Sequence, residues 1–355
     1  MTEAGETRVT GETRETLQHN EGNAATDGIW RVTDANGASR ILKVAKHGQA
    51  PQGSAWRTSD VPTHFNYWRR EVLAYETGFA DAVYRDSGIR APRLESLVTR
   101  EDGGIELWLE DVAGPSGFEF SIPRLGQFGY ELGVGQARWA ERVPPADEVP
   151  WLSRGWLRQY LSEGPGSNVE IQDEDWDHPV ARVWSAATRA RLRGLWERRM
   201  FALELAERLP RTLCHLDLWP ANLIEDSAGT SVLLDWAFVG EGSIGEDPAN
   251  LIIDSVSDGL MDAALLPEIA EAVITGYIEG LADGGRPGSA DDVRRAIATC
   301  AAAKWSWLGA QAISASIRGL THEQSYNQDD SAAETLKRIT GLAELLSEWA
   351  GVLDD

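Results

Sequence analysis

Polar residues in the middle of the sequence have types and spacings that suit phosphoryl transfer. Residues 212–224 read TLCHLDLWPANLI and contain His215-x-Asp217-x-x-x-x-Asn222, and the later β-type run SVLLDWAF carries Asp235. A loop aspartate can aim a hydroxyl group and accept its proton, while an asparagine and a strand-end aspartate offer the hard oxygen ligands that magnesium prefers. We therefore predict that Asp217 is catalytic and that Asn222 and Asp235 bind Mg²⁺.

Each of these residues also has a plain structural explanation. Asp217 and Asn222 suit turns, as does the Pro220 that lies between them, and Asp235 can cap a strand end. We interpret His215 as a hydrogen-bonded loop histidine that supports the segment and not as an acid or base. The combined spacing favours an active site over a set of unrelated turns.

A lysine upstream can supply the positive charge that a nucleotide needs. Lys43 lies in ILKVA, in the body of a predicted strand, where an ammonium group among apolar neighbours requires partners. A phosphate group and the carboxylate of Glu71, on a predicted helix, would satisfy it. Lys46 and Glu76 are the rival candidates for these two roles.

The elements that must position these residues follow from local patterns. GIWRVT and SRILKVA flank the turn residues Asp34–Gly37 and predict a hairpin, and residues 65–80 have the apolar spacing of a helix. SGIRAPRLESLVTR and IELWLEDV predict strands. The last of these runs into a connection, where the backbone groups of Glu110 and Val112 can pair with an adenine edge.

After residues 110–114 the sequence changes from β-type to mainly helical patterns. The predicted helices span 124–141, 151–163, 180–209, 260–283, 289–318 and 331–352. TLCHL and SVLLDWAF interrupt them as short β-type runs, and we expect one short hairpin in this region. We divide the chain into a flexible tail or peripheral strand (1–17), a nucleotide-binding lobe (18–112) and a catalytic and acceptor-binding lobe (113–355). The predicted fold is α+β with two lobes, a small β-rich N-terminal one and a larger helical one.

Composition limits the partners of the protein. The 355 residues carry a formal net charge of −23, which disfavours nucleic acids and anionic membranes and favours small cationic ligands. There are only two cysteines, and no signal segment or apolar run of about 18 residues is evident. These features predict a cytoplasmic protein that contacts neither nucleic acid nor membrane. We expect a monomer or a homodimer.

The order of hairpin, strand lysine, helix glutamate, connecting strand, HxDxxxxN and strand-end aspartate resembles the protein-kinase-like small-molecule kinases, the group of aminoglycoside phosphotransferases and choline kinases. The resemblance covers residues 18–255 and is strongest over HLDLWPANLI, LLDWA and GEDPANL. It implies a two-lobed protein-kinase-like fold, ATP or GTP as phosphoryl donor, Mg²⁺, and a hydroxylated small-molecule acceptor. It also implies that Asp247 helps to hold the catalytic loop.

Departures from the kinase patterns concern the acceptor and the nucleotide loop. Serine/threonine protein kinases usually carry lysine two positions after the catalytic aspartate, where this chain has Trp219, and they follow the metal-binding aspartate with Phe-Gly, where it has Trp236 and Ala237. Both departures point to a small-molecule acceptor. The segment Gly22–Gly28 has glycines but lacks the usual serine of the group.

The resemblance suggests phosphorylation of an antibiotic of aminoglycoside or nucleoside type, in resistance or self-protection. A metabolic kinase of a sugar, choline or homoserine is an alternative, and a non-catalytic pseudokinase is another. Asp254, Asp258 and Asp262 recur at helical spacing; they either hold amino groups in the cleft or, as we favour, lie on a solvated surface. Among the tryptophans, Trp219 and Trp236 have the best positions for touching a substrate.

Overall fold

The computed structural model describes residues 11–50, 54–319 and 331–354. The architecture is α+β, with a β-sheet region at the N-terminus and a larger helical part after it, which confirms the predicted fold class. Within the described ranges, no helix combines the length and the apolar character needed to cross a membrane.

The N-terminal region consists of short strands and two short helices in the described residues. They are β1 (Thr13–Thr16), β2 (Thr26–Thr33), β3 (Ser39–Ala45), α1 (Arg70–Glu76), α2 (Phe79–Val83), β4 (Ile89–Arg90), β5 (Leu94–Thr99) and β6 (Ile105–Glu110). An antiparallel sheet has the strand order β1-β2-β3-β6-β5. The predicted hairpin is β2–β3, with Thr33 opposite Ser39 and the Asp34 carboxylate accepting hydrogen bonds from the turn backbone.

Of the two alternatives given for segment 1–17, Thr13–Thr16 form the peripheral strand, as β1 paired with β2; residues 1–10 lie outside the described residues. One other N-terminal prediction needs correction. The predicted helix 65–80 begins only at Arg70. The fully buried Arg70 guanidinium donates hydrogen bonds to carbonyl groups that precede the helix, including that of Phe65, so this stretch wraps around the side chain as a loop.

The C-terminal region is mainly helical. It contains α3 (Ile122–Ala137), α4 (Trp156–Glu163), α5 (Ala186–Glu197), α6 (Arg199–Glu207), β7 (Arg211–Cys214), β8 (Leu223–Glu225), β9 (Ser231–Leu233), β10 (Gly240–Ser243), α7 (Glu246–Ser257), α8 (Leu266–Asp283), α9 (Ala290–Lys304), α10 (Leu308–Arg318), α11 (Ala332–Arg338) and α12 (Thr340–Trp349). The long spans predicted at 180–209, 289–318 and 331–352 are each two helices. The apolar pattern continues across the breaks, so periodicity alone does not reveal them.

Short strands frame the segment that carries the predicted catalytic residues. β7 pairs with β10, whereas β9 pairs with β8 and, in parallel, with β4 of the N-terminal region. The runs TLCHL and SVLLDWAF therefore do not form the expected short hairpin with each other. The segment between β7 and β8 is held at both ends, above a core that includes the free, buried Cys214 and Cys300.

Candidate active site

The loop after β7 is shaped by hydrogen bonds to one buried carboxylate. Asp247 accepts hydrogen bonds from the backbone N–H groups of His215 (2.7 Å) and Leu216 (2.8 Å), and Gln136 Nε2 donates to it at 2.8 Å. Leu216 adopts a left-handed backbone with φ of 68°, a costly conformation for a leucine. The bonds from His215 and from Leu216 itself to Asp247 stabilise the turn that presents Asp217.

Asn222 and Asp217 contact each other within the loop. Asn222 Nδ2 donates to the backbone carbonyl of Asp217 at 2.8 Å and lies 3.4 Å from its Oδ2. This bond uses the amide nitrogen and leaves the amide oxygen as the atom able to bind a cation. Burial and the charge of Asp235 raise the pKa of Asp217 to about 6, against the opposing charges of Lys304 and Lys43. Asp217 is therefore mainly ionised at neutral pH and can accept a proton.

Lys43 has two carboxylate partners. Its Nζ lies 2.6 Å from Glu71 Oε2 and 2.9 Å from Asp235 Oδ1, and the side chains of Lys43 and Glu71 are buried. Burial alone would lower the pKa of Lys43, but the carboxylates of Asp235 and Glu71 raise it above its ordinary value. The rival residues lie elsewhere: Lys46 pairs with Asp102 at 3.0 Å and Glu76 is exposed.

Asp235 follows β9 and has a left-handed backbone with φ of 54°. Its side chain is one third exposed, and with Asn222 it lines the same cavity. Among the described residues, no group of three or more His, Cys, Asp or Glu side chains could hold a metal ion. One carboxylate and one amide oxygen fit Mg²⁺, which keeps water and takes further ligands from substrate phosphates.

His215 is buried close to Asp235. Its Nε2 lies 2.9 Å from the carbonyl oxygen of Leu234, and its ring meets Trp236 edge-on with centroids 5.2 Å apart. Burial lowers the pKa of His215 to about 4, so the imidazole is neutral at neutral pH. Trp236 itself is fully buried, so the prediction that it touches a substrate is wrong.

A cavity of about 540 Å³ joins the predicted residues. Its walls include Ile29, Ile41, Lys43, Glu71, Leu109, Glu110, Val112, Asp217, Asn222, Ile224, Leu234 and Asp235. The N–H of Glu110 donates to the carbonyl of Arg93 at 2.9 Å, and its carboxylate pairs with Arg90. Glu110 and Val112 both line the cavity, where a contact with a base is predicted.

The other end of the cavity holds residues that the sequence analysis did not assign to the site. They are Trp156, Tyr160, Phe238, Lys304 and Trp305. The spacing of Trp156 and Tyr160 on α4 was a usable signal, because residues four apart share a helix face. The two rings are stacked, with centroids 4.7 Å apart.

Asp254, Asp258 and Trp219 also line this end of the cavity. The preference for a solvated surface is therefore wrong for the two aspartates. Asp262 lies outside α7 and caps a following turn, where it accepts a hydrogen bond from the N–H of Ala264. Burial raises the pKa of Asp254 to about 7. Trp219 is placed as predicted for touching a ligand, and Phe118 packs edge-on against it.

Comparison with known proteins identifies relatives at the level of family and fold. The model of the family described as "APH: Phosphotransferase enzyme family" matches residues 16–296. No curated protein in the comparison matches the sequence significantly.

Solved structures of small-molecule kinases resemble the chain. An ethanolamine kinase from Plasmodium vivax is 12% identical with a TM-score of 0.51, over 94% of this chain and 82% of that one. A choline kinase from Cryptosporidium parvum Iowa II is 12% identical with a TM-score of 0.51, over 97% and 93%. An aminoglycoside phosphotransferase from Alicyclobacillus acidocaldarius is 17% identical with a TM-score of 0.48, over 96% and 92%. The first two show that the chain shares their fold.

Proposed function

Because the chain belongs to the phosphotransferase enzyme family, we propose that it moves the γ-phosphoryl group of ATP or GTP to a hydroxyl group of a small molecule. The observation that carries this proposal is that Lys43, Asp217, Asn222 and Asp235 line one cavity. These are the groups that phosphoryl transfer requires, which are a proton acceptor, a phosphate-binding cation and hard oxygen ligands.

Asp217 acts on the acceptor. Its carboxylate orients the hydroxyl group and accepts its proton as the oxygen attacks the γ-phosphorus, and the bond to the β–γ bridging oxygen breaks. Lys43, braced by Glu71, holds the α- and β-phosphates. The backbone of Glu110 and Val112 meets the base. Positioning and charge neutralisation supply most of the rate in this type of reaction.

Asn222 and Asp235 hold Mg²⁺ in this proposal. These two residues would hold the ion, and it would supply positive charge that neutralises part of the charge of the nucleotide phosphates. His215 and Asp247 do not meet the substrate. Asp247 stabilises the loop backbone, and neutral His215 supports the segment between β8 and Asp235.

The acceptor in this proposal is an antibiotic of aminoglycoside or nucleoside type, and the reaction serves resistance or self-protection. The carboxylates of Asp254 and Asp258 favour an acceptor with amino groups, because opposite charges attract strongly in a partly desolvated cleft. The partly exposed ring of Trp219 offers a stacking surface for a flat or sugar-like acceptor.

The experiment is a product-formation screen of hydroxylated antibiotics, nucleosides and sugars with ATP and with GTP. For an accepted substrate, Asp217→Asn is expected to lower kcat by about 10²–10⁴-fold, the contribution of a positioned general base, and to leave nucleotide affinity near that of the wild type. Asp262→Asn is the matched control, since Asp262 caps a turn outside the cavity. Wild-type turnover in Asp217→Asn contradicts the assignment, and the absence of any turnover in the wild type favours a pseudokinase.

A further inference from the structure

Lys304, the last residue of α9, is a buried cation at the acceptor end of the cavity. Lysine occurs only at positions 43, 46, 304 and 337 of this arginine-rich chain. The side chain of Lys304 is only 4% exposed. Its Nζ lies 5.0 Å from the ring centroid of Trp156, 5.4 Å from that of Tyr160 and 5.2 Å from that of Trp305.

The aromatic rings satisfy this charge only in part. In the part of the chain that the structure describes, no carboxylate lies within 4.0 Å of Lys304 Nζ. Cation–π contacts are weak compared with the cost of burying an unpaired charge. The buried Lys43, by contrast, has two carboxylates within 2.9 Å. Lys304 is therefore a buried ammonium group that an anion can still approach.

The position of Lys304 connects it with the reacting groups. It lines the same cavity as Asp217, and its charge acts on that carboxylate more strongly than the charge of Lys43 does. Lys43 comes from the sheet of the N-terminal lobe and Lys304 from a helix of the C-terminal lobe. The charges of the two lysines thus act on Asp217 from different lobes.

The charges around the acceptor end explain why a cation is needed there. Phosphoryl transfer spreads negative charge over the three non-bridging oxygens of the moving group. Asp217, Asp254 and Asp258 all line this region, and their charges oppose that group. Lys304 is the lysine on this side of the cavity.

We propose that Lys304 Nζ binds the transferred phosphoryl group and stabilises it during the reaction. The inference rests on the proposed function. The acceptor proton passes to Asp217, the acceptor oxygen forms the new bond to phosphorus, and the electron pair of the broken bond leaves with the nucleoside diphosphate. Lys304 keeps its protons and donates hydrogen bonds to the non-bridging oxygens. Its contact with the moving group makes it a catalytic residue.

The test measures binding of a mimic of the transferred group and needs no acceptor. The affinity for MgADP is measured with and without aluminium fluoride, which forms a phosphoryl mimic beside ADP, for the wild type, Lys304→Met, Lys304→Arg and Lys337→Met. Lys304→Met is expected to bind MgADP as tightly as the wild type does. The increase in MgADP affinity on adding aluminium fluoride should be about 10²-fold smaller in this variant, which is the usual effect of losing one hydrogen-bond donor to a developing negative charge. Lys304→Arg keeps most of the tightening, and Lys337→Met, at an exposed position on α11, keeps all of it.

Kinetics with an accepted substrate provide the second measurement. Lys304→Met is expected to lower kcat by about 10²–10³-fold with the KM values for nucleotide and acceptor nearly unchanged. A rise in acceptor KM alone overturns the proposal, as does full tightening by fluoride in Lys304→Met. If thermal unfolding shows that Lys304→Met does not fold, the same affinity and kinetic measurements are made on Lys304→Gln, with the same expected results. A wild type that binds MgADP but gains nothing from fluoride also overturns it, whereas a wild type that does not bind MgADP contradicts the proposed function itself.

Discussion

The backbone of the site is unusual at two residues that are not glycine. Leu216 and Asp235 have φ values of 68° and 54°, in a region that residues with a Cβ atom rarely adopt. Each such residue costs about 1–3 kcal/mol unless the surroundings hold it. Asp247 anchors the first through the loop backbone, and the ion pair with Lys43 anchors the second. The fold thus sets the positions of Asp217 and Asp235 before any ligand binds.

Removing the strand-end carboxylate tests the metal role. Asp235→Ala is expected to abolish magnesium-dependent nucleotide binding, whereas Asn222→Ala weakens it less, because a carboxylate is a stronger ligand for Mg²⁺ than an amide oxygen. Calorimetry with ATP and with Mg-ATP measures both. Unchanged affinity for Mg-ATP in Asp235→Ala would show that the carboxylate does not bind the ion.

The two lysines of the hairpin form a matched pair of variants. Lys43→Ala is expected to raise the nucleotide KM and lower kcat, because it removes a buried cation and leaves Glu71 without its partner. Lys46→Ala removes a partly exposed lysine that pairs with Asp102, so its effect is small. Steady-state kinetics with varied ATP distinguishes them, and a larger defect in Lys46→Ala would contradict the assignment.

At the scale of elements, close contact between α3 and α8 supports the loop that carries Asp217. Gln136 of α3 donates to Asp247 and accepts a hydrogen bond from the Tyr277 hydroxyl of α8 at 2.5 Å. The helices approach closely because glycines face each other: a Cβ atom at Gly276 would lie 2.0 Å from the carbonyl oxygen of Gly126. The size of residue 276 therefore affects the loop that carries Asp217 indirectly, through the position of Gln136 on α3.

A substitution at this crossing tests the contribution of close packing. Gly276→Ala is expected to destabilise the protein by about 1–3 kcal/mol, because the added methyl group must push the two backbones apart. Gly194→Ala, at an open position in α5, is the control and should stabilise the helix by up to about 1 kcal/mol. Thermal and denaturant unfolding compare the two variants. Equal changes in both would show that the helix contact is not tight.

The elements that the sequence predicted well are those with a local cause. The β2–β3 hairpin follows from its turn residues, and the loop after β7 follows from its spacing. The end of the cavity lined by Trp156, Lys304 and Trp305 was missed because these residues come from α4 and from the end of α9, and only tertiary packing brings them together. The start of α1 was missed because the Arg70 side chain donates hydrogen bonds to backbone carbonyl groups, and such bonds leave no periodic pattern of apolar residues in the sequence.

At the scale of the whole molecule, the cavity lies between the N-terminal sheet and the C-terminal helices, in a protein with a net charge of −23. A cleft focuses the field of such a charge distribution. The nucleotide and an amino-bearing acceptor therefore experience this field in opposite ways. In the proposed reaction, the nucleotide would need Lys43 and Mg²⁺ to overcome this field, while a cationic acceptor would be attracted by the field and by Asp254 and Asp258.

Salt dependence of acceptor binding follows from this asymmetry. For a polyamine-like antibiotic, we expect the acceptor KM to rise steeply from low to moderate salt, because screening shortens the reach of the field to about 8 Å at physiological ionic strength. The KM is measured at fixed, saturating nucleotide and magnesium. The nucleotide KM over the same salt series is the control, since the binding of an anion should not weaken in the same way. A flat acceptor profile would contradict a polyamine-like antibiotic and favour a neutral nucleoside or sugar held by tryptophan stacking and hydroxyl hydrogen bonds, because such contacts carry no net charge for salt to screen.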